Sequence, residues 1–245
     1  MPNPTNAQYA MTGHPPKTPL YPAYTFRASP TYFAWVRLPA TDIHTLRREP
    51  GFEGQNIYFY LNHPIRFICI TAPVVAIEDL FSRFVLLTLD DGSGATVAVK
   101  IERKTKERPV GEWGGVAREA LPETVVEGVR VKAGRGAFEV FVEGVRVDIG
   151  TVLKVKGVVE TWRDQRQMLA KRIVLARGMT EVLEWEELAR WRGIVGQPWV
   201  LSQERVRELD AEERRWIEEK RRKREEKRAM QEKHERKRRK LERNV

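Results

Sequence analysis

The segment from residue 81 to residue 101, FSRFVLLTLDDGSGATVAVKI, constrains the fold of this chain most strongly. Two runs of alternating apolar residues flank an acidic, glycine-containing segment, DDGSG, at residues 90–94. Alternation with a period of two is typical of half-buried β-strands, and glycine permits the positive φ that a tight reversal needs. The segment therefore predicts a β-hairpin with Val85, Leu87 and Leu89 on one face of its first strand.

Further strand patterns lie on both sides of this hairpin. Pro64–Ile77 predicts a long strand before it, and Gly150–Leu175 predicts a second hairpin after it. Between them, Ala137–Asp148 predicts a small extra hairpin, and residues 102–136 form an insertion in which we expect one helical turn. One long strand, a hairpin, an insertion and a closing hairpin give the strand order of the OB-fold, a five-stranded barrel that commonly binds single-stranded nucleic acid.

The two ends of the chain differ from this β-rich middle. Eight of the 14 prolines fall in residues 1–40, so we expect residues 1–21 to be loose and the aromatic residues that follow to form an extended arm. Helical spacing begins at Thr180 and continues to residue 192. We therefore predict a mainly β protein with C-terminal helices: an OB-fold domain over residues 22–195 and a charged tail, helical or disordered, over residues 196–245.

Charge and composition narrow the class of protein. The net charge is +10, but residues 211–245 hold 16 Lys and Arg against 9 Glu, so most of the excess lies in the tail. Cys69 is the single cysteine, which excludes an intramolecular disulfide and favours a reducing compartment. No signal peptide and no apolar run long enough to cross a bilayer are present in the sequence. We expect a soluble intracellular protein, and the basic clusters at residues 220–224 and 236–240 favour the nucleus.

No motif in the sequence supports catalysis, a metal or a cofactor. The DDGSG segment places Ala95 and Thr96 where a calcium-binding loop needs a ligand and a glycine, so it is a hairpin turn. The four histidines are dispersed, and no phosphate-binding loop or Ser/His/Asp set can be assembled. We expect a protein that is not an enzyme.

Two sets of residues are candidates for binding. Cations and one aromatic ring on or beside the barrel strands could hold single-stranded DNA: Lys100, Lys154, Lys156, Trp162, Arg163, Arg166 and Arg172. Among these candidates only Trp162 offers a ring for base stacking. An apolar side of the helix after the barrel could hold a protein partner: Val182, Trp185, Leu188, Ala189 and Arg192.

Four segments carry a resemblance to a known family: SPTYFAWVRLPATDIHTL (Ser29–Leu46), IYFYLNHPIRFICITAPVVAIED (Ile57–Asp79), FVLLTLDDGSGATVAVK (Phe84–Lys100) and VDIGTVLKVKGVVETWRDQRQM (Val147–Met168). In these segments the chain resembles the fungal STN subunit of the CST telomere-capping complex, a relative of the middle subunit of replication protein A.

The resemblance implies a function and a set of partners. It implies a heterodimer with the small OB-fold TEN subunit, assembly with the large CST subunit, and protection of telomeric single-stranded DNA in the nucleus. It also implies support of fill-in synthesis by DNA polymerase α–primase. The family's DNA-facing positions correspond to Lys100, where relatives often carry an aromatic residue, and to Trp162 and Arg163.

Two other classes of function fit the residues themselves. One is a general replication-type protein that binds single-stranded DNA without telomere specificity. The other is an interaction scaffold whose OB-fold binds protein. Preference for G-rich over mixed sequence separates the first alternative from a telomere protein, and insensitivity to charge reversal at Lys154 and Lys156 indicates the second.

Overall fold

The computed structural model describes residues 20–81, 83–110, 115–134, 137–176 and 180–242. A 3-10 helix spans Ala23–Ala28. The α-helices are α1 (Ala40–Thr45), α2 (Thr180–Val195) and α3 (Gln203–Glu242). The strands are β1 (Trp35–Arg37), β2 (Tyr58–Tyr60), β3 (His63–Ile65), β4 (Phe67–Leu80), β5 (Phe84–Asp90), β6 (Thr96–Val110), β7 (Gly115–Thr124), β8 (Val129–Gly134), β9 (Ala137–Val142), β10 (Val145–Val147), β11 (Val152–Trp162) and β12 (Gln165–Leu175).

Within the described residues, five strands close into a barrel. β4 pairs with β5 and β5 with β6, while β4 also pairs with β11 and β11 with β12, and all four pairings are antiparallel. The parallel pairing of β12 with β6 closes the ring, with Gln167 opposite Ala98 and Leu169 opposite Lys100. This connectivity is that of the OB-fold, so the fold predicted from the sequence is confirmed.

The alternation in the sequence places the core as predicted. On the first hairpin, Val85, Leu87 and Leu89 are fully buried, as are Val97, Val99 and Ile101 on the facing strand. β11 alternates in the same way, with Leu153 and Val155 inside the barrel. The residues between them lie on the outer side of the barrel.

Gly157 allows β11 and β12 to pass close to each other. The register between these strands shifts at Lys156 and Gly157, which marks a β-bulge. A Cβ atom at position 157 would lie 2.5 Å from the carbonyl oxygen of Leu169. A side chain is therefore excluded here, at the strand that closes the barrel.

The DDGSG turn has a second role that the sequence does not indicate. The N-terminal end of α1 has no side-chain cap of its own. Instead, the backbone N–H of Ala40 donates to Asp91 Oδ2 at 2.9 Å, and that of Thr41 donates to Ser93 Oγ at 3.2 Å. The β5–β6 turn thus satisfies donors that the first turn of a helix leaves open, and it fixes α1 against the barrel.

The segment before the barrel is more structured than the sequence predicted. The first barrel strand begins at Phe67 and ends at Leu80, because His63–Ile65 instead pairs with Tyr58–Tyr60 as a separate hairpin. Phe26 in the arm is fully buried, and its ring centroid lies 5.3 Å from that of Phe52 and 5.8 Å from that of Phe59. Of residues 1–21, which we predicted to be loose, residues 1–19 lie outside the described residues.

The insertion also differs from the prediction. Its described residues contain no helical turn: β6 continues to Val110, and β7, β8, β9 and β10 follow as an antiparallel sheet. This insertion sheet has its own apolar residues, with Val131 and Val140 fully buried. The extra hairpin predicted at residues 137–148 is confirmed as β9 and β10.

The chain divides into two units. The first contains Phe26–Trp199, and the second contains Pro22–Thr25 and the residues from Val200 onward. In the second unit α3 is the predicted charged helix, with ion pairs one turn apart such as Arg221–Glu225 and Lys223–Glu219. Across the described ranges, no helix has the length and apolar character to cross a membrane, and no three His, Cys, Asp or Glu side chains are grouped to hold a metal ion.

Substitution of Gly157 tests the closure of the barrel. We expect Gly157→Ala to lower the free energy of unfolding by about 1–3 kcal/mol, because the new Cβ forces the backbones of β11 and β12 apart. The control is Gly193→Ala in α2, where nothing lies within 4 Å of the added Cβ. That variant should gain about 0.5–1 kcal/mol from helix propensity. Urea unfolding measures both, and equal stability of Gly157→Ala and wild type would contradict the close approach.

Candidate nucleic-acid and partner interfaces

The outer side of β5 and β6 forms a surface with a projecting turn at each end, which we call the front face. β6 runs antiparallel to β5 and parallel to β12. The β4–β5 turn therefore lies at the Glu102 end of β6, and the β11–β12 turn lies at the Thr96 end. Six strand residues separate these levels, a span of about 20 Å. In OB-folds this face and these two turns are where oligonucleotides bind.

The β4–β5 turn carries an exposed ring that sequence reasoning missed. Phe81 is 96% exposed and has a φ of 53°, a conformation that is unfavourable for a bulky residue. Next to it, the guanidinium of Arg83 lies 5.0 Å from the centroid of the Phe84 ring. Since neither exposure nor positive φ stabilises the fold, the arrangement favours contact with a ligand. Sequence reasoning assigned Phe81 to the start of the first hairpin, because an apolar residue beside a strand does not reveal whether it is exposed.

The β11–β12 turn carries the predicted ring. Trp162 ends β11 and is 64% exposed. Arg163 and Asp164 form a two-residue reversal with φ of 46° and 62°, and the Arg163 guanidinium lies 5.9 Å from the Trp162 ring centroid. Because Trp162 belongs to the strand, its position is fixed by the ladder with Gln165. An anchored ring next to a cation suits a stacked base and its phosphate.

Lys100 lies on the front face between the two turns. Its Nζ is 2.7 Å from Glu160 Oε2 and 4.9 Å from the centroid of the Phe84 ring. The side chain is half-buried, so the ammonium is held in one place by a carboxylate and a ring. The cationic groups of Arg83 and Lys100 therefore both lie near the Phe84 ring. Like Phe81, Phe84 is a ring of this face that was not among the residues predicted from the sequence to bind DNA.

Besides Lys100, two of the predicted DNA-binding cations, Lys154 and Arg166, are engaged in contacts within the protein. Lys154 Nζ lies 2.9 Å from Glu184 Oε1, which ties it to α2. Arg166 donates to the carbonyl oxygen of Leu46 at 3.0 Å and to Thr161 Oγ1 at 2.8 Å. The Arg166 bonds join the end of α1 to the barrel, and the Lys154 contact joins α2 to it. Both side chains therefore have a structural role.

The remaining two cations lie together away from the front face. Lys156 and Arg172 are opposite each other on β11 and β12, and Lys156 Nζ lies 5.7 Å from the Trp35 ring centroid. Near them, burial raises the pKa of the Cys69 thiol, while Arg37, Lys154 and Lys156 act in the opposite direction. The seven predicted residues therefore divide into three groups: the front face, the contacts that hold α1 and α2, and the Lys156–Arg172 pair.

Charged side chains attach α2 to the barrel. Glu184 is buried and forms an ion pair with Arg37, which is also buried. The same carboxylate accepts a hydrogen bond from Thr71 Oγ1 at 2.8 Å, and Lys154 binds its other oxygen. Glu187 adds a contact of 3.3 Å to Arg37 Nε. These bonds fix the rotation of the N-terminal half of α2 about its axis.

This attachment leaves most of the predicted partner surface open. Trp185 is 72% exposed, Ala189 and Arg192 are exposed, and Leu188 is half-buried. The side chain of Val182 lies outside the described residues. Trp185 and Leu188 border a groove of about 590 Å³, whose other wall includes Val75 and Val152.

Arg192 also has neighbours on the barrel side. Burial raises the pKa of Asp42 in α1, and Asp91 acts in the same direction, whereas the Arg192 guanidinium favours the charged carboxylate. Burial and the Asp42 carboxylate raise the pKa of the Tyr60 phenol, and the same guanidinium acts in the opposite direction. The Arg192 guanidinium therefore already interacts with Asp42 and Tyr60 within the domain.

The closed barrel, its parallel closing pair and its two ring-bearing turns define an OB-fold domain. Within this domain, residues 51–107 match the family model described as telomere regulation protein Stn1. Together with a relative of similar sequence, this match confirms the resemblance to the Stn1 family.

Individual proteins are also similar to this chain. The chain is 23% identical over 155 residues to the CST complex subunit STN1 of Rattus norvegicus, an alignment that covers 63% of this chain and 36% of the rat protein. The crystal structure of yeast Stn1 and Ten1 superimposes with a TM-score of 0.52 at 15% identity, over 79% of this chain and 91% of that one. That likeness supports the fold. The S. pombe Stn1–Ten1 complex aligns with a TM-score of 0.43 at 18% identity, over 65% of this chain and 92% of that one.

Removal of the Glu184 charge tests how α2 is attached. We expect Glu184→Gln to lower the free energy of unfolding by up to about 3–5 kcal/mol, because Arg37 stays buried and keeps only the exposed Glu187 as a charged partner. The matched control is Glu186→Gln on an exposed position of the same helix, with no expected loss. Urea unfolding measures both variants. Equal stability of Glu184→Gln and wild type would show that other contacts hold α2.

Proposed function

We propose that this chain is a non-enzymatic, telomere-associated OB-fold subunit that binds single-stranded DNA on its front face and heterodimerises with a small OB-fold partner. One observation carries the DNA-binding part. The two turns that flank the front face each present an exposed ring, Phe81 and Trp162. Arg163 lies 5.9 Å from the Trp162 ring, and Arg83, two residues after Phe81 in the chain, lies 5.0 Å from the Phe84 ring. Neither arginine forms an ion pair among the described residues.

The chemistry of these side chains supports a single strand over a duplex. Unpaired bases present flat faces that stack on aromatic rings, whereas the bases of a duplex are already stacked on each other. The arginines supply charge for the phosphates on either side of a stacked base. The front face itself holds half-buried apolar residues and Lys100, so bases can cross it.

The exposed side of α2 supports the proposed partner. Trp185 and Leu188 border an apolar groove beside the barrel, and large exposed rings are common at the centres of protein interfaces. The yeast structure to which this fold is similar contains Stn1 and Ten1. We therefore propose a TEN-type subunit as the partner and place its contact on α2, at the predicted residues Val182, Trp185, Leu188, Ala189 and Arg192.

The wider assembly is proposed by analogy with the rat relative, which is a CST complex subunit. We propose that the chain joins a large CST subunit, acts at telomeres in the nucleus and supports DNA polymerase α–primase. These roles extend beyond the domain, since the chain spans 36% of the length of that relative. A general replication-type protein that binds single-stranded DNA would use the same front face. A preference for G-rich over mixed sequence distinguishes a telomere protein from it.

Ring removal tests DNA binding at the front face. We expect Phe81→Ala and Trp162→Ala each to weaken binding of a single-stranded oligonucleotide by roughly 5- to 150-fold, the value of one stacked base. The matched control is Trp216→Ala, which removes an exposed ring from α3. Fluorescence anisotropy at fixed salt measures all three variants. If the front-face variants bind as tightly as the control, the DNA-binding proposal is wrong.

Charge insertion on α2 tests the partner interface. We expect Trp185→Glu combined with Leu188→Glu to abolish co-purification of a small OB-fold protein from nuclear extract, because both changes bury charge in an apolar contact. Trp216→Glu, on an exposed position of α3, should retain the partner. Peptide sequencing by mass spectrometry identifies the captured protein. Retention of the same small partner by the double variant would exclude α2 as the interface.

A further inference from the structure

A second group of rings and cations lies on the arm and the start of β4, away from the two turns. We call it the arm cluster: Tyr32, Phe33, Trp35, Arg66 and Phe67. Phe33 is 67% exposed, and its ring centroid lies 4.7 Å from that of Tyr32 in an edge-on arrangement. An edge contact leaves a face of the Phe33 ring open to solvent.

Rings and cations alternate through the arm cluster. The Arg66 guanidinium lies 5.2 Å from the ring centroids of both Tyr32 and Phe67. The Trp35 and Phe67 rings are 5.0 Å apart, and Lys156 Nζ lies 5.7 Å from the Trp35 ring. The arm cluster thus continues without interruption to Lys156 and, across the strand pair, to Arg172.

The charges of this surface are not balanced. Among the described residues, Arg66, Lys156 and Arg172 form no ion pair, whereas Lys100 and Lys154 both do. Lys156 and Arg172 are directly opposite on paired strands, where like charges repel each other. A pair of uncompensated cations beside open rings is complementary to an anionic ligand with flat groups.

The register of the sheet connects the arm cluster to the front face. One row of outward positions runs around the barrel from Lys100 through Leu169, Val158 and Phe67 to Trp35. The three central residues are half-buried and uncharged. Four strand steps separate the ends of the row, a path of about 19 Å along the surface.

We propose that the arm cluster, with Lys156 and Arg172, is a second binding segment for a single strand of nucleic acid that leaves the front face. Bases stack on Phe33, and phosphates bind Arg66, Lys156 and Arg172. The proposal rests on the proposed DNA-binding function and extends it. Short oligonucleotides occupy the front face alone, and longer ones reach the arm cluster as well.

The test compares oligothymidylates of about 4 to 16 nucleotides, the range of OB-fold site sizes, on the full chain. In the triple variant Phe33→Ala, Lys156→Ala, Arg172→Ala, the longest oligonucleotide should bind about tenfold or more weakly, and the shortest should bind as to wild type. For the longest oligonucleotide, the slope of log binding constant against log salt concentration should become shallower by about 1.4, the contribution of two phosphate contacts on a single strand.

Two controls separate this effect from misfolding and from general loss of charge. Lys132→Ala removes a lysine that lies 4.6 Å from the Phe141 ring on the insertion sheet. This variant should bind both the shortest and the longest oligothymidylate as tightly as wild type. The double variant Lys156→Arg, Arg172→Lys keeps both positive charges, so its salt dependence should equal that of wild type. Thermal melting by circular dichroism confirms that each variant folds.

The outcomes separate this proposal from the proposed function. If wild type binds no oligonucleotide of any length, both fail. If the triple variant matches wild type at every length, or loses affinity equally at every length, only the arm-cluster proposal fails. If oligonucleotide binding is unchanged while binding of polyglutamate is lost, the cluster binds acidic protein and the proposal is overturned.

Discussion

The parallel pairing of β12 with β6 is the constraint on which the rest of the domain depends. It closes the barrel through the short register from Gln167 to Leu169 opposite Ala98 to Lys100. The same pairing places the β11–β12 turn at one end of the front face, opposite the β4–β5 turn. Gly157 on β11 lies close to β12 at Leu169, one of the residues of the closing register, and a Cβ atom there would be 2.5 Å from the Leu169 carbonyl oxygen. The distance between the two exposed rings is therefore a consequence of how the barrel closes.

The attachment of α2 by ion pairs has a consequence for recognition. The C-terminal half of α2 packs through the buried side chains of Trp191 and Val195. In its N-terminal half Glu184 binds Arg37, Thr71 and Lys154 instead, and the neighbouring Trp185 is exposed to solvent. A buried ion pair adds little net stability over an apolar contact, but it accepts few geometries. The arrangement fixes α2 precisely and leaves its apolar side available for another protein.

Local patterns predicted most of the fold, and non-local contacts account for what was missed. Alternation located the barrel hairpins because one face of each strand is buried. It failed for the insertion because residues 104–107, where β6 continues beyond the barrel, are exposed and mostly charged, so they show no apolar period. Lys154 and Arg166 were predicted to bind DNA because their partners, Glu184 and the Leu46 carbonyl, are far away in sequence. Phe81 and the arm cluster escaped notice because exposure and ring contacts cannot be derived from spacing.

Hydrogen–deuterium exchange of the full chain, with and without a single-stranded G-rich oligonucleotide, tests the central claim most directly. The account predicts that bound DNA slows amide exchange at the β4–β5 turn, along β5 and β6, and at the β11–β12 turn, and leaves the β9–β10 hairpin unchanged. Slowed exchange confined to α3 or to the insertion sheet would contradict it, as would the absence of any oligonucleotide binding.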